Sequence, residues 1–482
     1  MSLSSAIYSA RSGLQVSSLR AEIVATNVAN ATTPGYVRRS VTLGETIVGG
    51  RTAGVHSDGI ARASDTAIKA QRRELTSGVS QASVLSSTWK SIATRIGDTA
   101  TGNGLFKSFS DFETALSRAV STPESPSAAS SLLEAARGIT TELNNLSDMV
   151  TVQRSEADRE ISDGVDIVNA ALKQIESLNR QLGGVDRTSG EAAALMDERQ
   201  RVLDTIAEYV PIQTVERDGG ALDVLTTEGV YLVAGKARQI EFTPSSAFGP
   251  NQTLASGDLS GLTVDGVSLT PGTTSFGAVS GGMFGALFTL RDTDLPALSA
   301  QLDTIANDLI TRLSADAIDP TKTPGEFGLF VDPDTAAGAG LAGRISLNAA
   351  IDPAQGGATF RLRDGLGAVT AGPLGNNSIL QALYDAFTSV NTVTGNGFQG
   401  SFSSTELVAQ LTSLTGQKRI QYDTVLSSTQ TQYNIMVEAE QSETGVDIDA
   451  QMQDLMLVEQ AYAANARVIE IASQMIKLLM DL

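Results

Sequence analysis

Cysteine and histidine are almost missing from this sequence. Its 482 residues contain no cysteine and one histidine, His56, which stands in a Gly- and Ser-containing loop where we expect it to be exposed. A chain without cysteine has no disulfide, no thiolate metal site and no cysteine nucleophile. One histidine excludes a metal site built from a histidine cluster and leaves no basis for a Ser-His-Asp arrangement. Several common classes of enzyme are thereby excluded.

Basic residues, aromatic residues and long apolar runs are also scarce. There are 34 Lys and Arg against 54 Asp and Glu, a net charge of -20, and aromatic residues make up 5%. Because nucleic acid binding needs a basic surface, we expect no nucleic acid partner, and we expect Arg38-Arg39 and Arg72-Arg73 on solvated faces. No run approaches the ~18 apolar residues of a membrane-spanning helix. We therefore expect no membrane insertion, and the first residues predict no Sec-type signal peptide.

Both ends of the chain carry apolar residues at alternating spacings of four and three. This spacing is typical of a helix with one face against a partner, and neither stripe can be buried by its own helix. We expect the two ends to pack on each other and then on neighbouring subunits, although two ordinary surface helices would give the same spacing. The predicted assembly seam consists of Leu3, Ile7, Leu14, Val24 and Val28 in the first helix and Ile448, Met452, Leu455, Tyr462, Ile469 and Ile476 in the last.

The first helix is predicted to end at a sharp turn. Proline disfavours the helical conformation of Thr33, and Pro34-Gly35 fits the two central positions of a type II turn. Residues 37–43 then alternate in polarity as a strand does. The chain is therefore expected to reverse at a fixed place after the first helix.

This turn belongs to a longer motif. Residues 25–36, ATNVANATTPGY, resemble the N-terminal signature of the rod, hook and hook-associated proteins of the bacterial flagellum. A C-terminal counterpart is present in 445–449, GVDID, and 458–469, VEQAYAANARVI. The motif turn comprises Asn27, Asn30, Pro34, Gly35 and Tyr36. The resemblance implies a structural subunit that the flagellar type III apparatus exports and that assembles through its terminal helices.

The middle of the chain separates the members of that family. The four-three spacing returns between residues 132 and 182 and predicts a helix over about 128–182, roughly 80 Å long at ~1.5 Å per residue. A helix of that length must lie in an elongated bundle. The resemblance implies that rod and hook proteins lack such a middle, so we expect a hook-associated protein, an adaptor ring joining hook to filament. A hook or rod subunit remains the alternative if 128–182 is not helical, and a secreted enzyme or adhesin is a further one.

The fold class is predicted to be mainly α with an inserted β-rich domain, on an elongated helical bundle or coiled coil formed by the N- and C-terminal segments together. Short alternating runs with Gly-containing turns from residue 212 onward predict hairpins, and helices are expected again over 379–393 and 405–442. The predicted domains are a terminal coiled coil of 1–45 plus 437–482, a helical bundle of 46–210 plus 290–317 and 377–436, and an outer β-rich domain of 211–289 plus 318–376.

Two patterns resemble those of binding sites. Residues 338–343 satisfy G-x-G-x-x-G, but no buried strand precedes them and no helix pattern follows, so we predict a loop. Asp447 and Asp449 lack the glycine and the distal glutamate of an EF-hand loop, and Asp447 is instead predicted to cap the last helix. We predict no catalytic residue, no cofactor and no metal site.

The partners follow from the resemblance rather than from the composition. It implies self-association into a ring or tubular layer, contacts with the hook protein and with the second hook-associated junction protein, and binding to a flagellar export chaperone. It also implies an extracellular location at the hook–filament junction.

Overall fold

The computed structural model describes residues 3–48, 51–97, 103–271, 278–279, 281–334 and 338–480. Helices α1 (Leu3–Ala29) and α11 (Ile448–Met480) pack antiparallel, since Asn27 meets Gln451 and Gly13 lies against Asn465. We call these two helices the terminal pair. A long hairpin of β1 (Arg39–Val48) and β2 (Arg51–Arg62) follows α1 and packs on it.

A helical bundle continues from this hairpin. Its helices are α2 (Thr66–Ile96), α3 (Gly104–Ser121), α4 (Pro126–Leu182), α5 (Gly190–Tyr209) and α10 (Ser404–Thr444). Helix α4 begins where Ser125 accepts a hydrogen bond from the Ala128 amide, with proline in the first turn, and it ends at Gly183. The helix predicted over 128–182 is therefore present, and α2 and α10 pack against each other along the bundle.

Two small sheets follow α5. Strands β3 (Ile212–Glu216), β4 (Leu222–Thr226), β5 (Tyr231–Ala234) and β6 (Lys236–Ala237) form an antiparallel sheet. Strands β7 (Ile240–Glu241), β8 (Leu262–Val264), β9 (Val267–Pro271) and β10 (Ala278–Val279) form the second, in which β9 and β10 are parallel. Helix α6 (Gly282–Thr289) then continues through a π-helical turn into α7 (Leu295–Leu313). The fold class, mainly α with inserted β structure, is confirmed.

The far part of the chain contains less regular structure. Strands β11 (Phe330–Val331) and β12 (Ser346–Leu347) pair, and the short α8 (Arg361–Asp364) precedes α9 (Ser378–Thr388). A hairpin of β13 (Asn391–Gly395) and β14 (Phe398–Phe402) leads into α10. The helix predicted to reach residue 393 is wrong in its last part. Asn396 and Gly397 both have positive φ, and a two-residue turn of this type favours a hairpin.

The predicted outer β-rich domain is divided between two hydrophobic cores. The sheets of 212–279 pack with the second half of α4, from Ala157 to Leu178, and with α5 and α6. The buried residues of 318–362 pack instead with the first half of α4, together with α3, α7 and α9. The two segments do not form one core, because sheets this small must bury a face against helices.

A buried ion pair lies between the two cores. Arg291, in the π-helical turn, donates from Nη1 to Asp158 Oδ1 at 2.6 Å, and both side chains are almost completely buried. Arg154 Nε donates to the Arg291 carbonyl oxygen at 3.0 Å, so two turns of α4 are tied to the segment between α6 and α7. Among the described residues, no helix combines the length and apolar character that crossing a membrane requires.

Candidate assembly site

Asn27 is the centre of the contact between the terminal pair and the rest of the chain. Its side chain is fully buried, and Nδ2 donates to the Arg39 carbonyl at 2.8 Å and to Gln451 Oε1 at 2.7 Å. Its Oδ1 accepts from the Tyr36 hydroxyl at 2.8 Å and from the Arg39 amide at 3.0 Å. Burial raises the pKa of Tyr36, which keeps this hydroxyl a donor. One motif residue therefore connects α1, the motif turn, β1 and α11, a region that we call the joint.

The motif turn has the geometry that its sequence predicts. The Tyr36 amide donates to the Thr33 carbonyl at 3.1 Å, and Gly35, at the third position, has a φ of 76°. Asn30 Nδ2 donates to the Thr26 carbonyl at 2.9 Å and so closes the last turn of α1. Pro34 and Gly35 are themselves exposed, and a Cβ on Gly35 would lie 2.9 Å from Arg201 Cγ. Glycine is therefore required for the backbone conformation and for the space beside α5.

Arginines that were expected on solvated faces instead form ion pairs between the hairpin and the bundle and between helices of the bundle. Asp197 of α5 binds both Arg39 of β1, at 2.9 Å, and Arg62 of β2. Arg72 of α2 binds Asp204 of α5 and a carboxylate near the end of α10. The Arg39 and Arg72 side chains are only 11% and 12% exposed. The expectation failed because their carboxylate partners are far away in sequence and no local pattern indicates them.

The predicted seam of α1 faces the interior of the terminal region. Val24 is buried, and Leu3, Ile7, Leu14 and Val28 are half-buried where α1 lies between α11 and the hairpin. In α11, Leu455, Ile469 and Ile476 are half-buried in the same manner. The α1 residues are covered by α11 and the hairpin together, and their role as an assembly seam stays a prediction.

Other predicted seam residues of α11 lie outside that contact. Ile448, Met452 and Tyr462 are exposed, whereas Val458 and Ala472 are buried against α1. Closely packed helices favour small residues, and a Cβ on Gly13 would lie 2.6 Å from the Asn465 side chain. The helices approach so closely that small and polar positions occupy the inner face, and apolar size alone did not identify them.

Helix α11 carries a second stripe of apolar residues at four-three spacing, and the described chain leaves this stripe exposed. It consists of Leu457, Ala461, Ala464, Val468, Ile471, Met475 and Leu478, all exposed. At ~100° per residue it lies about a third of a turn from the inner face. We call these seven residues the outer stripe. A stripe this regular is typical of a helix that packs on two partners, of which α1 is one.

The patterns that resembled binding sites have structural roles. Asp303 accepts hydrogen bonds from the Gly340 and Ala342 amides, which fixes the 338–343 segment as a loop ending in a single 3₁₀ turn. Asp447 Oδ1 accepts from the Asp449 and Ala450 amides and so caps α11. Within the described ranges, no three His, Asp or Glu side chains come together as a metal site. His56 is exposed beside Asp58.

Family models match three segments of the chain. The helical domain of flagellar hook-associated protein FlgK matches residues 91–317. The C-terminal segment of the flagellar basal body rod FlgEFG proteins matches residues 441–482, and the flagella basal body rod protein model matches residues 7–36. The two rod models thus cover most of α1, the motif turn and all described residues of α11. The hook-associated helical-domain model covers the helical middle through α7.

Curated proteins named flagellar hook-associated protein 1 are similar to this chain. Flagellar hook-associated protein 1 of Escherichia coli (strain K12) is 27% identical over 61% of this chain and 53% of its own length. That of Bacillus subtilis (strain 168) is 21% identical over 97% of this chain and 96% of its own length. The chain thus spans about half the length of the Escherichia coli relative that it matches.

One solved structure is also similar. The flagellar hook junction protein FlgK from Burkholderia pseudomallei aligns with a TM-score of 0.43 and 20% identity, over 54% of this chain and 46% of that one. The terminal models, the helical-domain model and the curated relatives agree with one another. The chain is therefore similar to the flagellar rod proteins at both of its ends and to flagellar hook-associated protein 1 over its helical middle.

Proposed function

We propose that this chain is a structural subunit of the hook–filament junction, assembled as an adaptor ring through its terminal helices. The observation that carries the proposal is the outer stripe of α11, an apolar surface that the chain itself leaves uncovered. Its five large side chains are between 43% and 66% exposed. Because these side chains are already about half covered, burying the rest of each would contribute about half of the ~1.5 to 3 kcal/mol of a whole side chain. The sum over the five side chains favours association of neighbouring subunits.

The joint and the bundle have complementary roles in this function. The bonds of Asn27 and Asp197 connect the terminal pair through the hairpin to α5. The bundle around α4 closes its own apolar core and gives the subunit length and stiffness. Assembly energy therefore comes from the terminal helices, and shape comes from the bundle.

The specific partners are part of the same proposal. The family indicates that the ring contacts the hook protein on one side and the second hook-associated junction protein on the other. It also indicates export by the flagellar type III apparatus with a chaperone, and an extracellular position. A chain without cysteine forms no disulfides, which suits passage in a largely unfolded state.

A hook or rod subunit is the neighbouring alternative, since both rod models match at the ends of the chain. The continuous α4 and the match of residues 91–317 to the hook-associated helical domain favour the junction instead. The chain works by assembly and not by catalysis, because its family is one of structural flagellar proteins.

The decisive experiment is electron microscopy of a strain in which the gene is deleted. A junction subunit predicts hooks of normal length without filaments, and purified chain added from outside should restore filament growth. Loss of the hooks themselves would assign the chain to the rod or hook. Normal filaments in the deletion strain would contradict the proposal.

A further inference from the structure

A cavity of about 1000 Å³ lies at the joint. Its walls come from the motif turn, the first turns of α2, the middle of α5, the end of α10 and the start of α11. The motif turn and α11, which belong to the joint, face α2, α5 and α10 of the bundle across this cavity, and Arg62 at the end of β2 completes its wall. We call it the joint cavity.

The lining of the joint cavity is basic although the chain as a whole is acidic. Five basic and three acidic side chains line it, whereas the chain has 34 basic and 54 acidic residues. The three acids are already engaged, because Asp204 and Glu440 bind Arg72 and Asp447 caps α11. Arg38 donates to the Glu443 carbonyl at 3.5 Å and lies within ion-pair distance of no carboxylate in the described residues. Three of the bases are paired as well, because Arg72 binds two of these acids, Arg62 binds Asp197 and Arg201 binds Glu198. Arg38 and Lys69 therefore carry the positive charge that no ion pair in the described chain neutralises.

Lys69 is the buried part of this charge. The residue is 4% exposed, and its ammonium donates to Ser64 Oγ at the long distance of 3.5 Å. No carboxylate in the described part of the chain lies within ion-pair distance of it. Burial and the neighbouring Arg62 lower the pKa of Lys69 to about 8. Arg62 Nη2, also buried, has no hydrogen-bond partner. A buried cation without an acid costs free energy, so a chain selected for stability alone would favour an apolar residue here.

We propose that the joint cavity binds an Asp or Glu side chain of a neighbouring copy of this chain in the assembled ring. This inference rests on the proposed function, because it requires assembly. Two observations indicate that the occupant comes from a second copy of this chain. The surface of a second copy is mainly acidic, with a net charge of -20, and complements a basic cavity. The cavity also reaches Ala450 on α11, about two turns before the outer stripe begins at Leu457, so a copy that covers the stripe comes close to the cavity.

Carbodiimide cross-linking of the assembled protein tests the proposal. The reagent joins an amine to a carboxylate in contact, with loss of water, and the chain has eight lysines. Equal amounts of ¹⁴N- and ¹⁵N-labelled chain are added to hooks that lack the junction, and the assembly is treated and digested. We expect peptides that link Lys69 to an Asp or Glu of the other isotope. The unassembled chain should not form these mixed-isotope links.

Each other outcome overturns the proposal. Links from Lys69 to carboxylates of the same copy would mean that an acid of the same chain, and not of a neighbour, occupies the cavity. Links to hook protein, or no link in an assembly that forms normally, would remove the neighbouring copy as the occupant and leave the junction function intact. A chain that does not assemble on hooks would overturn both the inference and the proposed function.

Two matched variants on α2 separate binding from folding. Lys69→Met removes the ammonium and keeps an apolar chain of similar length, whereas Lys90→Met does the same at an exposed site on the same helix. We expect Lys69→Met to fold with at least wild-type stability and to lower incorporation into the ring about tenfold at low salt. Lys90→Met should incorporate as the wild type does. Equal incorporation of the two variants would contradict the proposal.

Discussion

Helices α4 and α11 have similar four-three apolar spacing, yet the structure uses them in opposite ways. Helix α4 buries 21 of its 57 residues, and its largest core side chains are completely buried between α3, α5 and α7. Helix α11 buries only Gln451, Val458 and Ala472 among its 33 residues. The same periodicity therefore gives a buried apolar face in α4 and a largely exposed one in α11. What differs is how much of the chain is available to cover the helix.

The comparison separates stability from assembly. Apolar residues of α4 hold the subunit together, so their loss is felt in the isolated chain. Apolar residues of the outer stripe contribute little to the stability of the isolated chain and would contribute mainly when a second copy covers them. Substitutions of the same chemical type should consequently have opposite readouts in the two helices.

The largest effect is expected from a charge in the core of α4. Leu172 is completely buried, and Leu172→Asp should cost at least about 4 kcal/mol of unfolding free energy because the carboxylate is desolvated without a partner. Ile471→Asp, on the exposed outer stripe, should change the unfolding free energy by less than about 0.5 kcal/mol and abolish incorporation. Urea unfolding followed by circular dichroism measures the first quantity, and filament restoration measures the second. Equal destabilisation by the two variants would erase the distinction between the helices.

A charge on the inner face of α11 should combine both effects. Ile469 is half-buried against α1, so Ile469→Asp should destabilise the terminal pair by about 2 kcal/mol and abolish incorporation. Lys477→Ala, on the exposed side of the same helix, is the control and should be nearly neutral in both assays. Purified variants added to cells without their own copy separate assembly from secretion. Full restoration of filaments by Ile469→Asp would show that this face is not part of the assembly.

Removal of the central amide should loosen the joint without unfolding the bundle. Asn27→Ala leaves the Arg39 backbone groups and Gln451 without their buried partner, at a cost of about 2 kcal/mol. Amide exchange in α1 and α11 should rise, while exchange in α4 stays unchanged. Asn30→Ala, which loses one bond within the last turn of α1, is the milder control. Uniform loss of protection in all helices would contradict a local role.

Lys69→Met should change the stability of the isolated chain in the opposite direction from the other variants. The folded-state pKa of Lys69, about 8, lies below the ordinary value of 10.5. Below pH 8 both states are charged and the burial penalty is complete; between pH 8 and 10.5 the folded state loses its proton first and wild-type stability rises. The variant should therefore be more stable by about 2 kcal/mol at pH 7, with an advantage that shrinks toward pH 10.5. A variant less stable than wild type at pH 7 would contradict the unpaired buried cation.

Local signals made the bundle predictable. Helix α4 has a serine cap, a proline in its first turn, continuous apolar spacing and glycines at its end, all of which are contained in residues 125–184. The motif turn was predictable in the same way, because Pro34 and Gly35 determine their own backbone conformations. Where local chemistry decides the structure, the sequence was sufficient.

The joint could not be predicted because its contacts connect distant parts of the chain. Asn27 meets Gln451 across 424 positions, and Arg72 meets Glu440 across 368. Neither of these contacts is accompanied by a periodic pattern in the sequence that would indicate it. The division of α11 into an inner face and an outer stripe was also hidden, because Ala472 and Gln451 are buried while Met452 and Tyr462 are exposed. The choice of face depends on how closely α1 approaches, which only the packed structure shows.

Because the chain has no cysteine, a single introduced thiol gives the most direct test of whether assembly buries the outer stripe of α11. An Ile471→Cys chain carries a single thiol on the outer stripe, and a Val369→Cys chain carries one at a site that is 87% exposed and does not line the joint cavity. The rate of maleimide labelling is measured for each in the unassembled chain and after assembly on hooks. The account predicts fast labelling of both unassembled chains and, in the ring, protection of Cys at 471 but not at 369. Equally fast labelling of both sites in a normally formed ring would contradict burial of the outer stripe by assembly.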